Sequence, residues 1–417
     1  MTRMLTPVAL AFLAAGLAAP VHAQDAALLQ QMQEQLKQMQ AQIDSLNKKL
    51  AEQADSQKKI ADTVAKAEKE EKARNAAAEV YGRLSLSVDN NSDDFGPGAK
   101  GWGVKSNASR FGFRGTVPTT LAGDTSIIYT AEVQYGAADE PTDANEWLMR
   151  EGFVGLKGNW GQARLGRVTV PYKGVYAAID PWTDHVSQAR QGGRQGASAL
   201  NANYFNNTVE YVSPKLGDRV SLSAWISKQF DDENTSTTGF LHNAGALTQF
   251  KGGSAYGLGA RFEQGPWLAS LDWLEFDADA ISTTPPAYRR LANDSAYKLT
   301  GRYKAKNWSV AAHYEDAEDI GLGKNYYLNG IYVIDKLSLI GTYGVNQDAR
   351  TFMTAVNTYN DAKTWSLGAR YNIAKNSDLF AVYNSRKQDR DTNSSLAGVQ
   401  DQFDTLSIGL VTNFSSR

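Results

Sequence analysis

The spacing of apolar residues changes at residue 79 and keeps its new period to the end of the chain. From Val80 onward apolar and polar positions alternate, with Val80, Gly82, Leu84, Leu86 and Val88 set against Tyr81, Arg83, Ser85, Ser87 and Asp89. Successive side chains of a strand point to opposite faces. A period of two therefore predicts strands lying between an apolar and a polar medium. The pattern recurs at 127–135, 220–226, 256–262, 297–303, 365–371 and 406–414.

The connections constrain the fold further. Sixteen strands are predicted, from 80–88, 108–117 and 125–136 through to 402–414, and their connections alternate between short and long. Short ones include 118–124, Lys306 and Asp335; long ones include 90–107, 229–253 and the longest, 169–204. Spans of about nine to thirteen residues suit a tilted strand crossing a bilayer. A soluble sandwich also alternates in period two, but it has no reason to keep its long loops at one end. The expected fold class is all-β: a 16-stranded antiparallel transmembrane β-barrel over 80–417, preceded by an N-terminal α-helical coiled coil. Closing the barrel leaves no orphan polar edge in lipid. Tyr81, Trp160, Tyr211, Trp267, Tyr303, Trp308, Tyr326, Tyr332, Tyr343 and Phe414, near strand ends, are the expected interfacial aromatics.

The preceding segment has a different logic. Leu29, Leu36, Ile43, Leu50, Gln57 and Val64 lie seven apart, and Met32, Met39, Leu46, Gln53, Ile60 and Ala67 form a second series. Both fall on one helical seam, and no Gly or Pro interrupts 24–79. This predicts a coiled-coil segment with its linker, whose strand number Leu and Met do not fix. A solvated single helix is the alternative, because Gln53 and Gln57 weaken the seam. Residues 1–23, with Arg3, an apolar run over 5–19 and Val21-His22-Ala23, read as a secretory signal peptide.

Composition removes other classes. A mean hydropathy of −0.43 excludes a bundle of apolar transmembrane helices. A formal net charge of −2 argues against a nucleic-acid partner. The absence of cysteine removes thiolate metal sites and thiol nucleophiles. His185, His242 and His313 sit in no nucleophile or metal-protease motif, so no enzymatic activity, cofactor or metal site is expected. The acidic loop residues Asp93, Asp94, Asp231, Asp232, Glu233, Asp316, Glu318 and Asp319 read as solvated charges, with divalent-cation binding at the rim as the alternative.

At Ser109-Arg110-Phe111-Gly112-Phe113-Arg114-Gly115 the chain begins to resemble the general Gram-negative trimeric porins. The likeness continues at Arg150-Glu151-Gly152-Phe153-Val154-Gly155-Leu156, Leu165-Gly166-Arg167 and Asn207-Thr208-Val209-Glu210-Tyr211, and covers 80–414 in order. With the coiled coil it is similar to the DcaP-like subset. The resemblance implies a homotrimer with one pore per subunit, narrowed by its third long loop, here 169–204. It implies a constriction at Arg110 and Arg150, with Arg114 beside them and with Asp184 and Asp180 as acidic counterparts. The ladder's usual third arginine falls near Tyr204, leaving Arg190 and Arg194 as substitutes.

By parity Arg83, Arg110, Arg114, Arg219, Arg261, Arg302 and Arg370 face the lumen, and alternation is ambiguous at Arg150. Arginines in a narrow aqueous pore favour anions; alternatively each only braces the wall through an acid such as Glu132, Asp272 or Glu263. The expected function is an outer-membrane porin for passive diffusion of small hydrophilic solutes, with modest preference for anions such as small carboxylates. The alternative is a structural anchor tethering the membrane to the cell wall. Expected partners are further copies of the chain, outer-membrane lipid and lipopolysaccharide, and peptidoglycan at the coiled coil.

Overall fold

The computed structural model describes residues 23–74, 78–92, 100–138, 147–189, 195–202, 204–228, 250–280, 292–320, 322–347, 359–390 and 400–416. The expected signal at 1–23, apart from Ala23, the loop acids Asp93, Asp94 and 231–233, and Arg190, Arg194 and His242 lie outside them. The chain divides into two units at Arg74/Asn75.

The first unit contains one helix, α1 (Ala23–Arg74), of 52 residues, about 80 Å long. Ser56 and Thr63 hydroxyls bond back to the carbonyls of Glu52 and Lys59 four residues earlier. The described seam residues, from Met32 through Leu36, Ile43 and Leu50 to Val64, are all at least half exposed. No helix of the described residues is long and apolar enough to cross a membrane.

The second unit is one sheet closed on itself. Its strands are β1 (Glu79–Asn91), β2 (Gly101–Ser106), β3 (Arg110–Pro118), β4 (Ser126–Tyr135), β5 (Trp147–Gly158), β6 (Gly161–Val168), β7 (Phe205–Val212), β8 (Val220–Lys228) and β9 (Phe250–Gln264). They continue with β10 (Trp267–Ala280), β11 (Ala292–Lys304), β12 (Trp308–Ala317), β13 (Gly323–Ile334), β14 (Leu337–Gln347), β15 (Tyr359–Ala374), β16 (Ser377–Arg390) and β17 (Gln400–Ser415). Each neighbouring pair is antiparallel, and β17 returns to β1 from Tyr81↔Ser415 to Asn91↔Thr405.

The seventeen segments make sixteen spans, because β2 and β3 pair with the upper and lower halves of the same β1. At the break Ala108 adopts φ 50°. Asn107 donates to Ser87 Oγ at 3.0 Å, and Ser109 Oγ donates to Ser85 O at 3.2 Å. The outward positions change from Trp102 and Val104 to Phe111 and Phe113 across this break. A one-residue irregularity reverses parity. It hid the upper half of the strand expected at 108–117. At the short-turn end Asp124, Asp218, Asp335 and Asn376 take left-handed φ values, as tight turns require.

The outer face carries Leu, Val and aromatic residues in rows. Trp267 packs on Tyr303 at 4.6 Å and Tyr303 on Trp308 at 5.2 Å; toward the long-loop end Tyr297, Tyr314 and Tyr326 pack at 6.2 and 5.1 Å. On β11 the two rows stand six residues apart, about 20 Å of strand. Tyr81 departs from the expected girdle. It shares lumenal parity with Arg83, and the Arg114 guanidinium lies 4.4 Å from its ring centre.

The longest connection, 169–204, packs inside the barrel over its described parts, 169–189, 195–202 and 204. It contains two short helical turns, α2 (Pro171–Gly174) and α3 (Tyr176–Ile179), and a 3₁₀ turn (Ala199–Ala202). Trp182 is fully buried with Ile340, Phe380, Val382 and Val411; Tyr176 packs with Leu268, Ala311 and Tyr327. Polar bonds fix its position. Glu315 accepts from Tyr172 OH at 2.6 Å, Ser198 N at 2.7 Å, Ser198 Oγ at 2.9 Å and Asn201 Nδ2 at 2.8 Å. Lys298 Nζ donates to Asn201 Oδ1 at 2.8 Å and to Tyr172 O. Glu315→Ala leaves these loop donors buried and unmatched, at about 1–3 kcal/mol each. Limited proteolysis should then cut within 169–204 at least tenfold faster, while the barrel keeps its resistance to detergent unfolding.

Candidate functional site

The loop brings a carboxylate to a row of arginines. Arg83 on β1 and Arg110 on β3 are direct cross-strand partners, an unfavourable pairing of like charges unless an acid intervenes. Asp184 supplies it from the loop. Its Oδ2 lies 2.7 Å from Arg110 Nη1 and 3.8 Å from Arg83 Nη1. Glu132 on β4 continues the chain of charges, 3.7 Å from Arg110 Nε and 2.6 Å from Arg150 Nε. Arg150 Nη1 also donates to Gln134 Oε1 at 2.7 Å.

Two bulges aim further arginines inward. Glu132 pairs with Glu151 and Val133 with Met149, so Arg150 is an extra residue on β5. Arg150 and Glu151 consequently both reach lumenal partners, with Glu151 Oε1 accepting from Thr169 N at 3.0 Å. The β6–β7 register slips between Gly166 and Val168, which frees Arg167. Arg167 Nε donates to the carbonyls of Met149 at 2.9 Å and Arg150 at 3.1 Å, and its Nη1 donates to Asn206 Oδ1. Tyr204 stands where a third arginine was sought. Arg150, Arg167 and Lys173 lie over its ring at 5.4, 5.0 and 3.2 Å, a cation–π arrangement.

The other expected residues are placed elsewhere. Arg114 makes a two-pronged bond to Glu79, both contacts at 2.9 Å, and is half exposed. Asp180 faces its own loop and the wall, accepting from Trp182 N at 3.0 Å, Ala189 N at 2.9 Å and Tyr327 OH at 3.3 Å. Arg261 pairs with Glu263 at 2.7 Å; Arg302 donates to Ala178 O at 2.8 Å; Arg370 lies 5.0 Å from the Trp182 ring centre. Sequence reasoning named Glu132 only as an acid that braces the wall and did not single out Arg167. Arg167 stood in a quoted motif, and the bulge concealed its direction. Among the described residues no group of three or more acids or histidines is placed to hold a metal.

His185 follows Asp184 in the loop and packs edge-on to Phe380 at 4.4 Å, with Nδ1 2.9 Å from Thr183 O. Burial first, then the charges of Arg370 and Arg83, push its pKa down to about 3. The folded loop therefore holds this ring neutral. Below about pH 6.5 the unseated loop binds a proton that the seated loop refuses until about pH 3. Stability falls through that window by up to about 1.4 kcal/mol per pH unit. Hydrogen exchange over 176–189, corrected for intrinsic rates, should show seating weaken from pH 7 to 5 in the native chain, and His185→Asn should flatten that dependence.

A closed sheet with an apolar outside, a charged inside and a loop packed within it defines a transmembrane barrel. Residues 9–391 match the Gram-negative porin family, and the chain belongs to it. It is 24% identical over 204 residues to the major outer membrane protein P.IA of Neisseria meningitidis, covering 44% of this chain and 51% of that protein. It is 27% identical over 282 residues to a chitoporin of Vibrio furnissii, covering 64% and 71%. The match to the Neisseria protein thus spans about half of that relative's length. Among solved structures, the anion-selective porin from Comamonas acidovorans superposes with a TM-score of 0.57 at 19% identity, over 81% of this chain and 99% of that one. The family and these relatives place the chain in the outer membrane of a Gram-negative cell.

Proposed function

We propose that the chain forms a water-filled channel for passive diffusion of small hydrophilic solutes, with a modest preference for anions, small carboxylates among them. The charge at the inward loop carries this reading. Arg83, Arg110, Arg150, Arg167 and Lys173 stand about the zone where the loop meets the wall, against the carboxylates Asp184, Glu132 and Glu151. An excess of fixed positive charge in a narrow aqueous passage raises the local concentration of anions and lowers that of cations. In a potassium chloride gradient across a planar bilayer, reversal potentials should give a chloride-to-potassium permeability ratio of about two to five. A ratio below one would overturn the preference and make the loop acids the dominant charges.

The α1 seam favours assembly of copies. A helix with Leu, Met and Ile half exposed along more than four heptads lowers its free energy by packing on another copy. The barrel would then be one unit of a homotrimer that conducts in three equal steps, with α1 in the periplasm and the outer face against lipid and lipopolysaccharide. The tether reading uses the same helix to reach peptidoglycan. A purified protein that is silent in the bilayer yet binds cell-wall sacculi would favour the tether.

A further inference from the structure

Below the inward loop, toward the short turns, the barrel encloses a cavity of about 490 Å³, within the usual range for small-molecule sites. Pro171, Gly174 and Val175 of the loop roof it, and the end of β5 with β6–β10 walls it. Its lining includes none of Arg83, Arg110, Arg150 and Arg167.

Its two ends differ chemically. Toward the short turns Lys157, Lys215 and Arg261 line it with one carboxylate, Glu263. Glu263 is shared, 2.9 Å from Lys215 Nζ and 2.7 Å from Arg261 Nη2, and Lys157 has no ion-pair partner among the described residues. That end is cationic. Deeper, the wall is built of hydroxyls and carboxylates. A β-carbon on Gly259 would stand 2.5 Å from Ser223 Oγ and 2.9 Å from Asp272 Oδ1, so the missing side chain lets these two groups converge. Ser270 Oγ donates to the other Asp272 oxygen at 2.9 Å. Glu210, whose side chain is 1% exposed, bonds Arg164 through Oε2 at 2.6 Å, while Oε1 and Arg164 Nε have no partner among the described residues.

Alcohol groups both donate and accept, so a wall alternating serine hydroxyls with carboxylate acceptors suits a polyol. A cationic end suits a carboxylate. A simple alkyl acid would set methylenes against Asp272 and Glu210, leaving them unmatched. A neutral sugar would leave the cationic end without a counter-charge. We propose that this chamber binds sugar acids, hexose-sized solutes with one carboxylate and several hydroxyls. The carboxylate lies toward Lys157, Lys215 and Arg261 and the hydroxyls toward Ser223, Asp272 and Glu210. The inference deepens the channel reading and rests on it for the solute's access. Binding is weak, because a site on a diffusion path must also release.

The test is saturation-transfer NMR of the full chain in detergent with glucuronate, glucose and acetate, together with potassium chloride conductance in a planar bilayer. Glucuronate should bind at least fivefold more tightly than either glucose or acetate. Lys215→Gln with Arg261→Gln should weaken glucuronate at least fivefold and leave glucose unchanged. Ser223→Ala should weaken glucuronate and glucose and leave acetate unchanged. Glucuronate no tighter than acetate, or binding lost in Arg110→Ala and untouched by the chamber variants, would overturn the proposal. Conductance without glucuronate binding removes the chamber and keeps the channel; binding without conductance keeps the chamber and removes the channel.

Discussion

Arg110→Ala and Arg150→Ala together should widen the passage, raise single-channel conductance and abolish most of the anion preference. The two arginines flank Glu132, and Arg110 reaches Asp184 at 2.7 Å, so they sit where the loop meets the wall. Removing both cancels the excess of cationic side chains over carboxylates in that zone. A unit charge about 5 Å from the path, in a water-like medium, is worth about 0.8 kcal/mol before salt screening, a factor of two to four in the permeability ratio for each arginine lost. Asp184→Asn should move the ratio the opposite way, because it leaves Arg83 and Arg110 facing one another without their acid. The barrel tolerates these changes, since lumenal substitutions spare the lipid face. Unchanged conductance and unchanged selectivity in both arginine variants would show that the arginines only brace the wall.

The second large effect belongs to α1. A peptide covering 24–79 should associate at micromolar concentration and become helical as it does so, and Ile43→Glu should abolish both. Ile43 lies at the middle of the seam and is half exposed in the single chain. Burying an Ile or Leu contributes about 1.5–3 kcal/mol, and each associating chain supplies one at this level. Putting a charge there instead should weaken association by at least a hundredfold, read by sedimentation equilibrium and circular dichroism. A native peptide that stays monomeric and unfolded at several hundred micromolar would remove the seam as an assembly element.

The barrel was legible because lipid imposes a simple rule on every span, and alternation from Val80 to Phe414 records it. The loop at 169–204 was legible from its length, and the meeting of Arg110 with Asp184 from the family resemblance. What stayed hidden depends on single-residue irregularities and on local partners. The break at 107–109 reversed parity and concealed β2. The slip beside Gly166 turned Arg167 inward against its apparent phase. Arg114 and Asp180 have the right charge, but Glu79 and the loop's own amide groups hold them. A one-dimensional pattern states which face a residue takes, not which neighbour will satisfy it first.

The β5–β6 ladder stops at Gly152↔Arg167, and beyond it the carbonyls of Met149 and Arg150 are met by the guanidinium of Arg167. A side chain thus serves as a rung where backbone pairing ends. The irregularity that projects Arg150 inward is mended by the residue that the neighbouring irregularity releases. Deleting one residue at either place would turn a strand end inside out and leave the other place unrepaired. The two are therefore expected to be gained or lost together among descendants of this chain. A lysine at 167, with one point charge in place of a fork, would be a poor substitute.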